Sequence, residues 1–494
     1  MDEGQEFRYA PASESGKLTK QMGKSAVQVS GDYLAGLVTH AREMLRRRFG
    51  AARQTFDLHY ILTVPRSAHL AEIPAANLTL LSEPEAAAVY AIRTIQPNTI
   101  AEGDCLIVCD AGGGTVDIIT YRVKQTEPLI FEEATEGTGA VCGSVMLDER
   151  FDDLVKTIIE QKSAKGLPPV SARAARRYWQ DYIKPKYAGP VGQDEFDDPG
   201  YWVSIPGVSG IREVDLSEGH LYLEKYTTFL TNSTMDQVKE IFDPIVQQIK
   251  ELVAEQRRNI KEIGLFTKAI ILVGGLGASE YLFKCLEVSS DGIQIMQPPN
   301  AWSAVVRGAV YRGREGNQVE GRISRCNYGT EIRVLFDPKI HGAEFTPRLC
   351  GIEEEWYMHG QMRWYIKKGQ SVAEGDPIRM ELARVFGLNE SLVWHETLRF
   401  CLMATAPGIV NANMYPFPQL ITRVKLISQG VAVLCRLEAD LSRVPRELFQ
   451  KHTNSKGVDY YRICFDLVLT PTSASLLFDL QFNGVSYGSV RSRY

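Results

Sequence analysis

The sequence lacks the features that mark most specialised chemistries. No run approaches the roughly 20 apolar residues of a membrane-spanning helix, and the N-terminal MDEGQEFRYAPASESGK is polar and acidic without an apolar signal core. The nine cysteines are scattered, odd in number and never spaced C-x-x-C, and no H-E-x-x-H occurs among the eight histidines. These absences argue against a disulfide framework or a zinc site and for a reducing compartment, with the cytoplasm the expected location. Excess charge is missing too. A formal net charge of −5 with a pI near 6.0 gives no general attraction to nucleic acid or to an anionic membrane. The densest basic spot, Arg46-Arg47-Arg48, falls in the last turn of an expected helix before Gly50, where cations complement the helix dipole. A protein client or partner is left as the expected class of macromolecule, and nothing in the chain specifies an oligomeric state.

Two of the three common glycine-rich nucleotide signatures are also missing. There is no G-x-x-x-x-G-K-[ST], and Gly137, Gly139 and Gly143 miss the G-x-G-x-x-G spacing by one residue, so P-loop and Rossmann readings drop out.

What is present is an ordinary globular composition, 44% hydrophobic over 494 residues, which is long enough for about two to four domains. Residues 1–28 read as disordered or frayed. A helix is expected from Ser30 to Phe49 with Leu34, Leu37, Val38, Ala41 and Leu45 on one face. "YILTVP" reads as a buried strand, and "LTLLSEPEAAAVYAIRTI" as a short strand turning into a helix, with Ser82 as N-cap and Pro84 in the first turn. Helical patterns return at 147–165 and 171–187, a polar Gly/Pro/Asp-rich stretch covers 188–200, and a long amphipathic helix begins near Asp243-Pro244. After about residue 315 alternating strands dominate, ending at the hairpin signal Asn483-Gly484. The division is therefore an α/β part, 29–314, and a β-rich C-terminal domain, 315–494.

The most informative stretch is "LIVCDAGGGTVDIITYRV", in which an apolar strand ends on Asp110, three glycines follow, and Thr115 and Asp117 open a second strand. Backbone N–H groups can converge on a phosphate only where the main chain comes close, and glycine permits that approach. Gly112, Gly113, Gly114 and Thr115 would line such a turn, and the flanking acids suit a divalent metal or an attacking water. A second turn, Gly274-Gly275-Leu276-Gly277, joins a strand to a helix and could hold a ribose or a base against bare backbone.

"ILTVP", "SEPEAAA", "DAGGGTVDI" and "ILVGGLGAS", followed by "AVVRGAV", resemble in that order the nucleotide-binding domain of the heat-shock protein 70 family, within the actin, hexokinase and heat-shock ATPase superfamily. "CGSVMLDERFDDLV" and "WQDYIKPKYAG" resemble its divergent member-12-like branch, common in fungi, in which a short β-rich tail replaces the usual substrate-binding domain. The resemblance implies an actin-like (ribonuclease-H-like) α/β ATPase fold that binds ATP or ADP with Mg2+, and a chaperone-like role. It makes Glu83 the acid touching metal-bound water, Asp110 the carboxylate near the attacking water, and Asp117 part of the metal–water network, so that Asp110 and Asp117 meet the metal through water. Gly112 to Thr115 match the turn around the β- and γ-phosphates, Gly143 and Ser144 a further phosphate turn with Cys142 in place of its usual first glycine, and Gly274 and Gly275 the turn across the nucleoside. Trp179 to Lys184 match the helix beside the adenosine, with Lys184 the contact.

Family members open with a strand and a D-x-G-T-T-like hairpin and carry a catalytic lysine soon after; neither occurs in this chain. The expected fold is therefore N-terminally truncated, with weak or no ATP hydrolysis, and with exposed sheet edge that makes the protein marginally stable or dependent on a partner. Two rival readings stand beside it. One is a non-enzymatic interaction protein that uses the β domain, with the ATPase remnant as scaffold. The other, ranked last, is a small-molecule kinase of the same superfamily.

Overall fold

In the computed structural model, the strand Cys105–Ala111 is buried along its whole length. Its side chains divide by parity, as a strand covered on both faces requires. Cys105, Ile107, Cys109 and Ala111 enter one core, with Leu147, Phe151, Trp179, Phe242 and Ile249. Leu106 and Val108 enter another, with Val89, Ile92, Ile271 and Val319. Fully burying an aliphatic side chain of this size contributes about 2 kcal/mol, so this strand is the anchor of the fold. The structure describes residues 10–50, 57–64, 78–95, 100–162, 166–189, 200–208, 219–224, 237–339, 341, 346–408, 430–473, 476–489 and 491–493.

The strand lies inside a mixed eight-stranded sheet. Gln294–Met296 and Thr267–Val273 run parallel on one side of it, and Val116–Thr126 and then Leu129–Glu133 pair antiparallel on the other. Thr138–Ala140 pairs with Val116–Thr126 off the main path. Helices Ser144–Lys162 and Gln237–Glu262 contribute to the first core, and helices Glu83–Ile95 and Ala304–Glu315 to the second. The latter two pack so tightly that a Cβ on Gly308 would lie 1.7 Å from the carbonyl of Ala86, which makes glycine obligatory in "AVVRGAV". Helix Gln237–Glu262 begins ahead of the expected Asp243-Pro244. Pro244 is the eighth residue of this helix and cannot donate to Glu240 O, which instead accepts from Arg150 Nη2 at 3.0 Å.

Beyond residue 315 the strands form a six-stranded sheet and a five-stranded sheet around a shared core that includes Met380, Leu398, Leu437 and Leu467. The expected boundary at 314/315 does not separate the sheets. Val319–Ile323 pairs parallel with Leu129–Glu133, and Ser371–Ala373 pairs with Val319–Ile323, so both belong to the eight-stranded sheet. The Asn483-Gly484 hairpin forms as the sequence indicates, with both residues at positive φ between Phe482 and Val485.

The N-terminal stretch differs from expectation. Within 1–28, Ala10–Gln21 is helical, and a second helix, Ala26–Phe49, starts at a capping box formed by Ser25 and Gln28. The capping box accounts for the start of the second helix. The anticipated apolar face is not buried: Leu34, Val38 and Leu45 are half-buried, while Leu37 and Ala41 are exposed. Tyr60–Val64 and Leu78–Ser82 form a two-stranded parallel sheet. Residues 1–9 and most of 188–200 lie outside the described residues. Among those described, no helix is long and apolar enough to cross a membrane.

Candidate functional site

The parity that buries Leu106 and Val108 also sets the direction of Asp110, two residues further along the strand. Val116 and Ile118 enter the first core and Ile119 and Tyr121 the second, so Asp117 shares the face of Asp110. The two aspartates are directly opposed across the hairpin, and Asp110 is also level with Val273 on its other side. Glu83 begins the helix that covers this face. Three carboxylates thus converge at the end of the strand. Burial first, and then the charges of Glu83 and Asp117, push the Asp110 carboxyl up to about 7. Burial and then Asp117 raise Glu83 as well.

The glycine hairpin is closed by Gly112 N–H donating to Thr115 O at 3.0 Å. The Thr115 hydroxyl donates to Asp117 Oδ2 at 3.0 Å, tying the turn to the acid. The start of helix Ser144–Lys162 is docked on this hairpin. Gly143, Ser144 and Val145 donate their N–H groups to Gly114 O, Gly112 O and Gly113 O at 3.2, 3.1 and 2.9 Å. A Cβ on Gly143 would stand 2.3 Å from Gly113 O, so only glycine fits where the two turns touch. The N–H groups of Gly113, Gly114 and Thr115 have no partner among the described residues. They are the donors available to an anion.

The second glycine turn closes over the same strand end. Leu276 and Gly277 both donate to Ala111 O, at 2.9 and 3.1 Å. Gly274 has φ +88, and a Cβ on it would lie 2.4 Å from Ala111 O and 2.6 Å from Asp110 Oδ1. Gly275 has open space around its Cα. Gly112 to Thr115, Gly143, Ser144, Gly274 and Gly275 therefore surround the end of one strand, with Asp110 between the two turns.

Lys184 sits in a different network. It follows the π-helical turn Trp179–Ile183, and its Nζ donates to Asp148 Oδ1 at 2.8 Å. Trp179 Nε1 donates to the same oxygen at 2.7 Å. Trp179 itself is fully buried and stacks on Phe151 with ring centroids 4.6 Å apart, so it belongs to the core. The Asp148 carboxylate lies one turn into the helix docked on the hairpin, so Lys184 is linked to the glycine turns through that helix.

Three of these participants carry no sequence signal of their own for this site. Gly139, where a Cβ would meet Asp117 Oδ1 at 2.9 Å, is visible only as part of a spacing that fails a different motif. Gly277 lies in a recognised turn but draws attention only once its Cβ is placed 1.9 Å from Val273 O. Asp148 carries no local signal, because its partners lie more than 30 positions away.

The carboxylates suit a hard cation in chemistry, since they are oxygen donors with unbalanced mutual repulsion. Among the described residues, however, no group of three or more His, Cys, Asp or Glu side chains is arranged to hold a metal ion.

No protein-family model matches the chain. It is 25% identical to heat shock 70 kDa protein 12B of Homo sapiens over 307 residues, 56% of this chain and 41% of that protein. It is 24% identical over 291 residues to heat shock 70 kDa protein 12A of both Homo sapiens and Mus musculus, 57% of this chain and 42% of each. The chain thus spans about two-fifths of the length of the curated relatives it matches. With the two glycine turns joined at Asp110, these similarities support a distant relationship of the chain to the heat-shock protein 70 family and its actin-like ATPase domain.

Proposed function

We propose that the chain binds ATP or ADP with a hydrated Mg2+ at the junction of its two glycine turns, and that it hydrolyses ATP slowly or not at all. The observation that carries this reading is a buried Asp110, raised to about 7, beside a hairpin whose Gly113, Gly114 and Thr115 N–H groups lack partners. The hairpin donors would take the terminal phosphates, and Asp110, Asp117 and Glu83 would hold the waters of the cation. Bound Mg2+ supplies charge neutralisation of the phosphates. Gly274 and Gly275 would flank the nucleoside, and Lys184 would reach it by exchanging Asp148 for the nucleotide.

Weak hydrolysis follows from the donors this chain offers. Phosphoryl transfer depends on electrostatic stabilisation of the moving group. Gly143 and Ser144 spend their N–H groups on the hairpin, and Lys184 is already neutralised by Asp148. A chaperone-like role, with nucleotide state regulating a client on the C-terminal strands, is the reading that the family relationship supports. Nine cysteines, none of them in a disulfide, agree with a cytoplasmic setting.

The same internally used donors favour a second reading, a non-enzymatic interaction protein with the nucleotide fold as scaffold. Calorimetric titration with Mg-ADP and Mg-ATP, followed by a single-turnover assay, separates the two. Binding without appreciable turnover is the expected result. No binding of either nucleotide supports the scaffold reading, and turnover at the rate of a classical chaperone, lost in Asp110→Asn, overturns the claim of weak hydrolysis.

A further inference from the structure

A cleft of about 180 Å3, equivalent to about six waters, opens between the two C-terminal sheets. It lies where Asn327–Leu335 and Glu355–Ile366 of the six-stranded sheet face Ile378–Gly387 and Asp459–Pro471 of the five-stranded one. Four arginines, Arg333, Arg363, Arg384 and Arg462, line it against two acids, Glu353 and Glu381. For a chain with a net charge of −5 this is a local reversal of sign.

Two of the arginines already hold carboxylates from this chain. Arg333 donates to Glu353 at 2.6 Å and lies over the Tyr357 ring at 4.2 Å. Arg384 pairs with Glu396 and lies over the Trp394 ring at 4.3 Å, while its buried Nε has no partner. Stacking of this kind holds each guanidinium plane in place. Arg363 and Arg462 are different. Both are exposed, and neither side chain makes a hydrogen bond or ion pair with any described residue. They come from opposite sheets, Arg363 level with Thr330 and Arg462 level with Val385, and so flank the cleft from its two sides. The positive field extends along the strand: His359 is held below the ordinary histidine value, first by burial and then by Arg348 and Arg333.

We propose that this cleft binds an acidic peptide segment of a protein partner, whose carboxylates pair with Arg363 and Arg462. The chemistry is the one the cleft uses internally, since Arg333 and Arg384 are each matched by a glutamate and the two remaining guanidinium forks are presented to solvent. A forked guanidinium matches a carboxylate with two parallel N–H donors. The site is separate from the glycine turns, and the proposal does not depend on nucleotide binding.

The test uses the full chain and a fluorescein-labelled oligoglutamate, with matched oligolysine and inorganic phosphate as the other probes, all at low salt. Arg363→Gln/Arg462→Gln alters exposed side chains only, so a matching far-UV spectrum and melting curve establishes that the fold is kept. Arg46→Gln/Arg47→Gln, at the densest basic spot elsewhere, is the control. The expected result is oligoglutamate binding that weakens about tenfold in Arg363→Gln/Arg462→Gln, survives in the control, and is partly kept in Arg363→Lys/Arg462→Lys. Equal affinity in wild type and Arg363→Gln/Arg462→Gln overturns the proposal, as do equal loss in the control, no oligoglutamate binding, or equal binding of oligolysine. Displacement of the peptide by phosphate at matched carboxylate and phosphate concentrations would make this a small-oxoanion site and would overturn the peptide assignment.

Discussion

Gly274 and Asp110 are in direct contact: a Cβ on the glycine would lie 2.6 Å from the aspartate Oδ1 and 2.4 Å from Ala111 O, at a φ of +88 that side chains rarely adopt. The second glycine turn therefore sets the position of the buried acid as well as closing over the end of its strand. Gly274→Ala should cost about 2–4 kcal/mol from backbone strain and overlap together, and should abolish nucleotide binding by displacing Asp110. Gly275 has nothing within 4 Å, so Gly275→Ala should change stability by less than about 1 kcal/mol while weakening nucleotide binding. Denaturant unfolding and calorimetric titration of both variants check this. Equal stability loss in the two would refute the contact argument.

Asp110 should make stability depend on pH in an unusual direction. Its folded carboxyl titrates near 7, above the ordinary aspartate value, because of burial and then Glu83 and Asp117. The native state therefore holds more protons than the unfolded chain between about pH 4 and 7, and stability falls as pH rises through that window. Below it the group contributes no penalty, and above it the full penalty remains, on the order of 4 kcal/mol at most. Asp110→Asn should match wild type near pH 4 and exceed it in melting temperature at pH 8. Mg-ADP should narrow the gap by stabilising only the wild type. A difference that is flat across pH would sink the assignment.

Lys184 and Asp148 allow the structural and binding roles of the lysine to be separated. Asp148 is 4% exposed, accepts from Lys184 and Trp179, and has Arg176 Nη1 at 3.7 Å. Removing one partner of a buried pair leaves uncompensated charge. Lys184→Met should therefore destabilise by about 1–3 kcal/mol, and adding Asp148→Asn should restore most of that loss. If Lys184 also reaches the nucleoside, ADP affinity should stay about tenfold lower in the double variant, the loss of one charged contact. Affinity that recovers together with stability would confine Lys184 to a structural role.

How much of this is legible in the sequence depends on how local the determinant is. The strand ending at Asp110, the glycine hairpin and the Asn483-Gly484 turn are written in contiguous residues, and their periodicity and turn chemistry are enough to read them. The docking of Gly143 on Gly113 is not, because it depends on a contact between segments about 30 residues apart, so close that a Cβ on Gly143 would meet Gly113 O at 2.3 Å. The pairing of Val319–Ile323 with Leu129–Glu133 is hidden for the same reason: a short strand carries no label for its sheet. The solvent exposure of helix Ala26–Phe49 is a further case, since an amphipathic pattern states which face could be buried and not whether a partner covers it.

Glu85 joins helix Glu83–Ile95 to the C-terminal strands, and breaking that junction should destabilise both. The residue is 2% exposed and receives two hydrogen bonds from Arg322, at 2.9 and 3.1 Å. Ser473, two residues beyond Asp459–Pro471, donates to Glu85 Oε2 at 2.5 Å and accepts from Ser82 N–H at 2.9 Å. Glu83, which helps raise Asp110, lies between Ser82 and Glu85 in this same turn. Arg322→Met leaves the Glu85 charge buried and should cost about 3–5 kcal/mol, and adding Glu85→Leu should recover much of it, as apolar replacement of a buried pair often does. Ser473→Ala removes one hydrogen bond to a charged group and should cost about 1.5–3 kcal/mol. Because Ser473 touches the turn that carries Glu83, Ser473→Ala should also shift the pH midpoint of the Asp110 effect, measured as the pH at which wild-type and Asp110→Asn melting temperatures diverge in the Ser473→Ala background. An unchanged midpoint with reduced stability would show that the junction holds the two parts together without reaching the carboxylate cluster.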